Sequence, residues 1–380
     1  MNKVIPIDKQ ISSLLVFIVL ILSVLFLIVQ AILTISPPVT ASPSNTTTTI
    51  PIYEITTRGG LASPASVSGN GYGDRYPLLD VEELFGSCPD EIAIFVHGWG
   101  LSETDVKERI DRVKMSLEHN GYFVPLVSLS WDSNVQWDAA KSNAVQDGPK
   151  LGHFILDYMN TCRTDLGKDV NVRLIAHSMG SRVVLSALNN LNMNESWNNN
   201  NFKIRSVHLV GAAVDDEEVS MDPIEVYNLP WLSWWPPCWY LPYFYAGDGI
   251  KSPYGKAIAE EVDDEGKFYN LVNSEDNALE LIYPCYEGGD DALGKNGKQE
   301  IGISPPPNYV EVDVKDEIKP FTDADANGDC DFGVKNPWTG ICFADVGDNH
   351  SGYLGFRSLD NHTLLADDGA MNIVVQTLRQ

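Results

Sequence analysis

Basic side chains are scarce in this sequence. The 380 residues include 26 Lys and Arg against 52 Asp and Glu, which gives a formal net charge of −26. No segment is dense in Lys or Arg, and this excludes a protein that binds nucleic acid by neutralising phosphates. The chain has no internal repeat and no Cys-x-x-Cys spacing, so nothing supports a repeat architecture or a zinc site.

Apolar residues, by contrast, are abundant. Hydrophobic residues make up 44% of the chain and aromatic residues 10%, which is enough for a sizeable core and excludes wholesale disorder. The length fits one large α/β domain or two small domains. Much of the acidic excess lies between residues 261 and 331, where it favours either a solvated acidic surface or local binding of cations.

One uncharged apolar segment lies near the N-terminus. Residues 11–35 carry no charge and exceed the roughly 20 residues that cross a bilayer as a helix. Lys3 and Lys9 precede the segment, so residues 1–10 are expected in the cytoplasm and the rest outside, as in a single-pass protein of the cell membrane. The alternative is a signal peptide cleaved near Ala41, which would give a secreted protein, but its apolar core would exceed the usual ~7–15 residues.

The chain after this segment divides into two parts. Residues 36–50 are rich in Pro, Ser and Thr and are predicted to form an extended stalk. Residues 51–380 are predicted to form the extracytoplasmic domain. The six cysteines agree with an oxidising compartment.

From residue 91 onward the hydrophobic pattern alternates between strands and helices. Short apolar runs predict strands over residues 92–96, 123–131, 172–176, 204–211 and 268–272. Periodic segments predict helices over residues 102–119, 134–159 and 179–191, the second with an interruption at Gly148–Pro149 left open. The alternation predicts an α/β fold with a mostly parallel central sheet and helices on both faces.

The string Ala176-His177-Ser178-Met179-Gly180 lies directly between a predicted strand and a predicted helix. A nucleophilic serine on such a strained turn needs small flanking residues and is usually written Gly-x-Ser-x-Gly. Ala176 replaces the first glycine, which adds one methyl group. The string alone is common, but its place between strand and helix makes Ser178 the predicted nucleophile.

A second turn follows an earlier strand, at His97-Gly98-Trp99. Its glycine allows the backbone N–H of Trp99 to point to the same place as the backbone N–H of Met179. Two such donors form an oxyanion hole for the charge that develops during acyl transfer. The side chains of His97 and Trp99 are equally explained by packing.

These motifs resemble the α/β-hydrolase family, and particularly its lipase-like serine esterases. The resemblance rests on residues 95–99, 140–143 and 174–180, and it covers about residues 91–211. It implies an α/β-hydrolase fold and a Ser-His-Asp triad that forms an acyl-enzyme intermediate. No cofactor is expected for this catalysis.

The triad of this family follows the order serine, acid, histidine, so both partners are expected after Ser178. His350 lies late in the chain, in a segment of loop composition like the family's histidine loop. His362 is the other downstream candidate, because His208 lies within a predicted strand. The resemblance therefore favours His350 as the general base.

The acid is less tightly constrained. Asp276 follows the predicted strand 268–272 and precedes an apolar pair, as in the acid loop of the family. The alternatives are Asp215 or Asp216, after the strand 204–211, and Glu275. The resemblance favours Asp276, which would orient the histidine ring.

An aromatic insertion falls where the family places its lid. Residues 217–266 are predicted to form a cap, whose central part is rich in Trp, Tyr and Pro. A lid would cover an apolar substrate, whereas the same residues also suit a satellite core or a surface that dips into a membrane.

A later acidic segment has the spacing of a calcium loop. The residues at ligand positions 1, 3, 5, 7 and 9 of such a loop are Asp323, Asp325, Asn327, Asp329 and Asp331. Gly328 matches the invariant glycine, but Val334 stands where a bidentate Glu is expected. Residues 321–345 are therefore predicted to be either a structural calcium loop or a solvated acidic loop.

Six cysteines allow about 15 pairings. The expected pairs are Cys330–Cys342 in the acidic loop, Cys238–Cys285 between cap and core, and Cys88–Cys162. The last pair follows from the expected fold, in which both cysteines precede neighbouring strands at the same edge of the sheet.

The sequence thus predicts a membrane-anchored serine hydrolase that cleaves ester or lipid-like small molecules. A thioesterase or amidase with the same triad is one alternative. A surface-binding protein on a hydrolase scaffold is another, although such a protein need not retain Ser178, His350 and a nearby carboxylate together. The fold by itself does not fix the substrate.

Overall fold

A parallel sheet forms the centre of the protein in the computed structural model. The structure describes residues 49–58, 78–222, 254–287, 290–298, 304–318, 350–355 and 369–380. The strands of this part are β1 (Ile52–Thr56), β2 (Glu91–Val96), β3 (Leu126–Ser130), β4 (Asn171–His177), β5 (Ser206–Val210), β6 (Phe268–Val272) and β7 (Tyr309–Asp313). Their order is β1-β3-β2-β4-β5-β6-β7, and every neighbouring pair is parallel. The predicted parallel sheet is confirmed.

Helices alternate with these strands along the chain. They are α1 (Leu78–Ser87), α2 (Glu103–His119), α3 (Trp137–Leu166), α4 (Gly180–Asn192), α5 (Glu195–Asn199), α6 (Gly255–Glu261), α7 (Asn277–Leu281), α8 (Tyr283–Tyr286), α9 (Leu293–Asn296) and α10 (Met371–Leu378). Short 3-10 turns cover Asp216–Val219, Lys315–Glu317 and Gly352–Leu354. The predicted α/β-hydrolase fold class is confirmed for the part of the chain that the structure describes.

Both faces of the sheet are covered, as strand β2 demonstrates. Ile92, Ile94 and Val96 pack into one hydrophobic core with α3 and α4. Ala93 and Phe95 point the other way and pack with α2 and α10. Since both sets of side chains are buried, the strand has the continuous apolar sequence that is typical of a parallel sheet.

Helix α2 begins and ends where the sequence predicts. The Ser102 hydroxyl accepts a hydrogen bond from the Asp105 backbone N–H at 3.3 Å, and the Asp105 carboxylate accepts one from the Ser102 N–H at 2.9 Å. This reciprocal capping box satisfies two donors that would otherwise be unpaired at the helix start. The helix therefore begins immediately after the turn at residues 97–101.

Helix α3 continues through Pro149, so the interruption considered at Gly148–Pro149 does not occur. Proline has no backbone N–H, and the Val145 carbonyl therefore lacks its usual helical donor. The Ser186 hydroxyl on α4 donates to that carbonyl at 2.7 Å. A neighbouring helix thus replaces the missing hydrogen bond, which the local sequence does not reveal.

The predicted Cys88–Cys162 disulfide is present, with Cα atoms 5.6 Å apart. It connects the residues before β2 to helix α3, close to where β2 and its neighbour β4 begin. Cys285 is disulfide-bonded as well. The other three cysteines, Cys238, Cys330 and Cys342, lie outside the described residues, so the pairings predicted for them stay predictions.

Several other predictions fall outside the described residues. They concern the apolar segment 11–35, nearly all of the stalk, the centre of the cap, the ligand residues 323–331 and His362. Among the described residues, no helix is both long enough and apolar enough to span a bilayer. The two ends of the predicted cap are described, and there Val219 and Ile258 are fully buried in the core.

Candidate active site

Ser178 lies on the sharp turn between β4 and α4. Its φ is +55°, in the left-handed region that is strained for a residue with a side chain. Hydrogen bonds hold the turn in place, since the Ser178 N–H donates to the Val210 carbonyl at 3.1 Å and the Ser178 carbonyl accepts from the Ser181 N–H at 3.0 Å. Such strain is typical of a nucleophile elbow at the carboxyl ends of a parallel sheet.

Two glycines allow the elbow to approach the turn after β2. A Cβ atom on Gly180 would lie 2.5 Å from the Val96 carbonyl oxygen and 2.6 Å from that of His97. A Cβ atom on Gly98 would lie only 2.7 Å from the Cβ of Ser178. The turn at residues 97–99 is therefore in direct contact with the serine, as an oxyanion loop must be.

The two amides predicted for the oxyanion hole are available as donors. Among the described residues, neither the Trp99 nor the Met179 backbone N–H donates a hydrogen bond. Met179 precedes the first residue of α4, where backbone N–H groups have no partner within the helix. Both amides are thus free to stabilise a developing negative charge.

The side chain of His97 fixes the geometry of this turn. Its Nε2 accepts a hydrogen bond from the Trp131 N–H at 3.2 Å, so Nδ1 carries the proton and donates to the Gly98 carbonyl at 2.8 Å. Burial lowers the pKa of His97 to about 3, which keeps the ring neutral. Because the N–H and C=O of one peptide point in opposite directions, tethering the Gly98 carbonyl directs the Trp99 N–H to the other side.

His350 and Asp276 form the second half of the site. His350 Nδ1 and Asp276 Oδ2 are 2.7 Å apart, and the Asp276 side chain is completely buried. The other carboxylate oxygen accepts a hydrogen bond from the Leu279 N–H at 3.0 Å, which caps helix α7. The carboxylate is therefore held in one orientation, and as the acceptor it places the ring proton of His350 on Nδ1.

His177 connects this pair to the elbow. Its Nε2 donates to the His350 carbonyl at 2.8 Å, and the two ring centres are 4.8 Å apart. Burial, followed by electrostatic contributions from His350 and Arg109, lowers the pKa of His177 well below its ordinary value, so the ring is neutral. Among the described residues, no hydrogen bond joins the Ser178 hydroxyl to His350, whereas the adjacent His177 contacts His350 directly.

Two further side chains hold the His350 segment. The Arg109 guanidinium on α2 donates to the Ser351 hydroxyl at 3.1 Å. Tyr353 is fully buried with its ring edge-on to that of His350, and burial together with the Asp276 carboxylate raises its pKa well above the ordinary value. Tyr353 therefore stays a hydrogen-bond donor beside Asp276.

The sequence predicts no role for Arg109 or Tyr353, and it marks His177 only as part of the elbow motif. His177 is the variable residue before the serine in the elbow pattern, and Tyr353 lies three residues after the histidine, so both are close to a recognised motif. Arg109 is different, because it lies 242 residues from Ser351 in the chain. No local signal marks Arg109.

The alternative acids make other contacts. Asp215 lies 3.4 Å from the Arg182 guanidinium and accepts a short hydrogen bond from the Tyr283 hydroxyl. Glu275 is exposed, whereas Asp276 beside it is buried. Among the four candidates, Asp276 is the carboxylate that contacts His350.

The sheet order, the strained serine and the neighbouring histidine–aspartate pair define an α/β hydrolase. The model of the family described as "Alpha/beta hydrolase of unknown function (DUF900)" matches residues 81–281, which is more than half of the chain. The chain belongs to this family. The match includes Ser178 and Asp276 and ends before His350.

Two solved structures of phospholipase PlaB from Legionella pneumophila are similar to parts of the chain. The complex with thio-NAD is 18% identical over 34% of this chain and 26% of that chain, with a TM-score of 0.20. The other structure is 14% identical over 55% of this chain and 42% of that chain, with a TM-score of 0.26. The chain thus spans less than half of the length of these phospholipase chains. The comparison with curated proteins finds no match.

Proposed function

We propose that this hydrolase cleaves carboxylic esters through Ser178, His350 and Asp276. The observation that carries the proposal is the hydrogen bond of 2.7 Å between His350 and Asp276, next to a serine at positive φ. With Nδ1 protonated, Nε2 of His350 has the free lone pair that takes a serine proton. Catalytic hydrogen bonds are often long in a free enzyme, so the one between Ser178 and His350 is expected to form on substrate binding.

The proposed reaction has two stages. Ser178 Oγ attacks the ester carbonyl while His350 Nε2 takes its proton, and the Trp99 and Met179 amides stabilise the oxyanion. Collapse of this intermediate expels the alcohol, which receives the proton from His350, and leaves an acyl group on the serine. Water, activated by the same histidine, then releases the acid.

An apolar acyl group is the proposed substrate feature. Trp99 continues from the oxyanion turn into an aromatic cluster, with its ring centre 5.1 Å from that of Trp137. Tyr286 stacks on Trp137 at 5.0 Å, and neighbouring Ile282 is 36% exposed. A partly exposed apolar surface beside the oxyanion hole supports an uncharged, lipid-like ester as substrate.

Turnover measurements test this proposal. Full-length wild-type protein is expected to hydrolyse p-nitrophenyl esters, and Ser178→Ala and His350→Ala are each expected to lose roughly 10⁶-fold in kcat. Ser142→Ala, an exposed serine on α3, and His153→Ala on the same helix are the matched controls and should retain activity. If all four variants kept wild-type activity, the triad assignment would be wrong.

Substrates that differ only in the leaving group distinguish ester hydrolysis from thioester and amide hydrolysis. The same acyl chain offered as ester, thioester and anilide is expected to give the highest kcat/KM with the ester. A preference for the thioester or the anilide would identify the thioesterase or amidase instead. A folded wild-type protein that turns over none of the three would favour the surface-binding alternative.

We also propose that residues 11–35 anchor the enzyme in the cell membrane with its catalytic domain outside. The support is the length and uncharged character of this segment, with Lys3 and Lys9 on its N-terminal side. Resistance of the cell-derived protein to carbonate extraction and an intact N-terminus are expected. A mature protein that begins near Ala41 would contradict the anchor and indicate secretion.

A further inference from the structure

A cluster of three carboxylates lies outside the proposed triad. Asp216, Glu217 and Asp290 each offer one oxygen, and these oxygens all lie within 4.8 Å of one another. Asp216 and Glu217 have no exposed surface, and Asp290 is half-buried. Several ionised carboxylates buried together are strongly unfavourable unless cations or protons compensate their charge.

Glu217 supplies a second, independent observation. Its side chain is completely buried, and neither of its carboxylate oxygens has a hydrogen-bond partner. An oxygen of this residue belongs to the cluster, so the unpartnered carboxylate is directed into it. Polar atoms that are buried in this way almost always have a partner, and the hydrogen bonds of the described residues supply none to the Glu217 carboxylate.

Arg182 and Lys141 pair with carboxylates that flank the cluster in the sequence. Arg182 lies 2.7 Å from Glu218 and 3.4 Å from Asp215. Lys141 lies 2.6 Å from Glu287. Within the part of the chain that the structure describes, Glu217 itself forms no ion pair.

The cluster joins two segments that meet beside the active site. Asp216 and Glu217 follow β5, where Asp215 forms a β-bridge with Ala292. The segment that begins at Asp290 continues to Gly294, whose carbonyl accepts a hydrogen bond from the Asn273 N–H at 3.0 Å. Asn273 lies three residues before Asp276, so a group bound by the cluster would stabilise the loop that carries the acid.

We propose that Asp216, Glu217 and Asp290 bind a hard divalent cation, with calcium as the best fit. Oxygen-only ligands exclude a preference for soft metals, and calcium accepts several carboxylates in flexible geometry, whereas magnesium keeps most of its water. The site shares no residue with the loop 323–331 that the sequence predicts to bind calcium. Its ligands are also distinct from the residues of the proposed serine chemistry.

A proton is the competing way to neutralise the cluster. Burial, together with the charges of Asp216 and Asp215, raises the pKa of Glu217 to about 8. A proton on this carboxyl would need no metal. The two alternatives differ in one measurable respect, because only the first makes stability depend on calcium.

Calcium titration of full-length, chelator-treated protein at pH 7.5 tests the proposal. Asp323→Asn/Asp325→Asn is used as the background, so that the acidic loop cannot contribute. In this background calorimetry is expected to find one calcium per chain, and calcium at about 100 times its Kd should raise Tm by roughly 5 °C. Glu217→Gln and Asp290→Asn should each abolish both effects.

Asp291→Asn is the matched control, because this exposed neighbour of Asp290 lies outside the cluster. It should bind calcium like the background protein. Asp290→Asn also guards against misfolding, since its side chain is only half-buried. The proposal is overturned if the background protein binds no calcium, or if Glu217→Gln and Asp290→Asn respond to calcium as Asp291→Asn does. Neither result depends on ester hydrolysis, so it leaves the proposed function untouched.

Discussion

The loops after strands β5 and β6 contain two buried aspartates with different partners. Asp215 and Asp276 follow neighbouring parallel strands, and they are 7% and 0% exposed. Asp215 meets Arg182, whose charge is permanent, whereas Asp276 meets His350, whose charge changes when it takes a proton. Burial at the end of a strand therefore does not distinguish the two aspartates. The histidine partner of Asp276 is the observation that favours it as the proposed acid.

The largest effect that tests this comparison is expected from Asp276→Asn. Asparagine keeps the cap of helix α7 but removes the charge that stabilises the imidazolium and selects its tautomer. We expect kcat to fall by about 10⁴-fold with little change in folding. Ester turnover measures the fall in kcat, and Glu275→Gln, at the exposed neighbouring residue, is the control. A loss of less than tenfold would mean that Asp276 is not the acid.

Arg182→Met should lower stability and leave kcat nearly unchanged, which is the opposite of the result expected for Asp276→Asn. It leaves the buried carboxylate of Asp215 and the partly buried carboxylate of Glu218 without their cation, which costs about 3–5 kcal/mol of unfolding free energy. Urea denaturation is the measurement, and kcat of the folded fraction is expected to stay close to wild type. Lys256→Met, which breaks an exposed pair with Glu260, should cost less than about 1 kcal/mol. Equal losses for both variants would refute the structural role of Arg182.

Gly98→Ala is expected to lower kcat through the oxyanion turn, while Asp215 and Asp276 stay unchanged. The added methyl group would lie 2.7 Å from the Ser178 Cβ, so the oxyanion turn must move away. Displacing one oxyanion donor is expected to lower kcat by about 10²-fold or more at nearly unchanged KM. Steady-state kinetics measure the effect, and Gly86→Ala on α1, where a Cβ meets open space, is the control. Unchanged kcat would place the oxyanion hole elsewhere.

The smallest expected effect is the contribution of His208, on strand β5, to the pH dependence of stability. Burial lowers the pKa of His208 to about 3, so between that value and its unfolded pKa of about 6.5 the unfolded chain binds a proton that the native protein does not. Stability is therefore full above pH 6.5 and falls by about 1.4 kcal/mol per pH unit below it. Between pH 7.5 and 5.5, His208 is expected to account for a loss of about 1.4 kcal/mol in the free energy of unfolding, and His208→Gln should remove that part of the loss. An unchanged loss in His208→Gln would contradict the buried neutral state.

The inner strands could be predicted from the sequence because both of their faces are buried. Strands β2 to β6 are mostly apolar, and the predicted bounds of β6 are those of the structure. The edge strands β1 and β7 are not predicted. Each has five residues in which a central Glu interrupts the apolar side chains, and Glu311 in β7 is exposed. So short and interrupted an apolar segment does not distinguish an edge strand from a loop.

The sequence could predict those parts of the candidate site that lie in contiguous sequence motifs. The elbow around Ser178 is contiguous in sequence, and so is the turn that presents Trp99. The choice between Asp215 and Asp276 depended instead on distant residues, because Arg182 on α4 neutralises one and His350 contacts the other. Pairings between residues so far apart in the chain produce no recognisable spacing in the sequence.

Covalent labelling tests the central claim most directly. Purified full-length protein would be treated with a fluorophosphonate, digested and mapped by mass spectrometry. The account expects one adduct, on Ser178, that is lost in His350→Ala while Ser142→Ala is labelled like the wild type. A folded wild-type protein that takes no label, or carries it on another residue, would contradict an activated serine at the elbow.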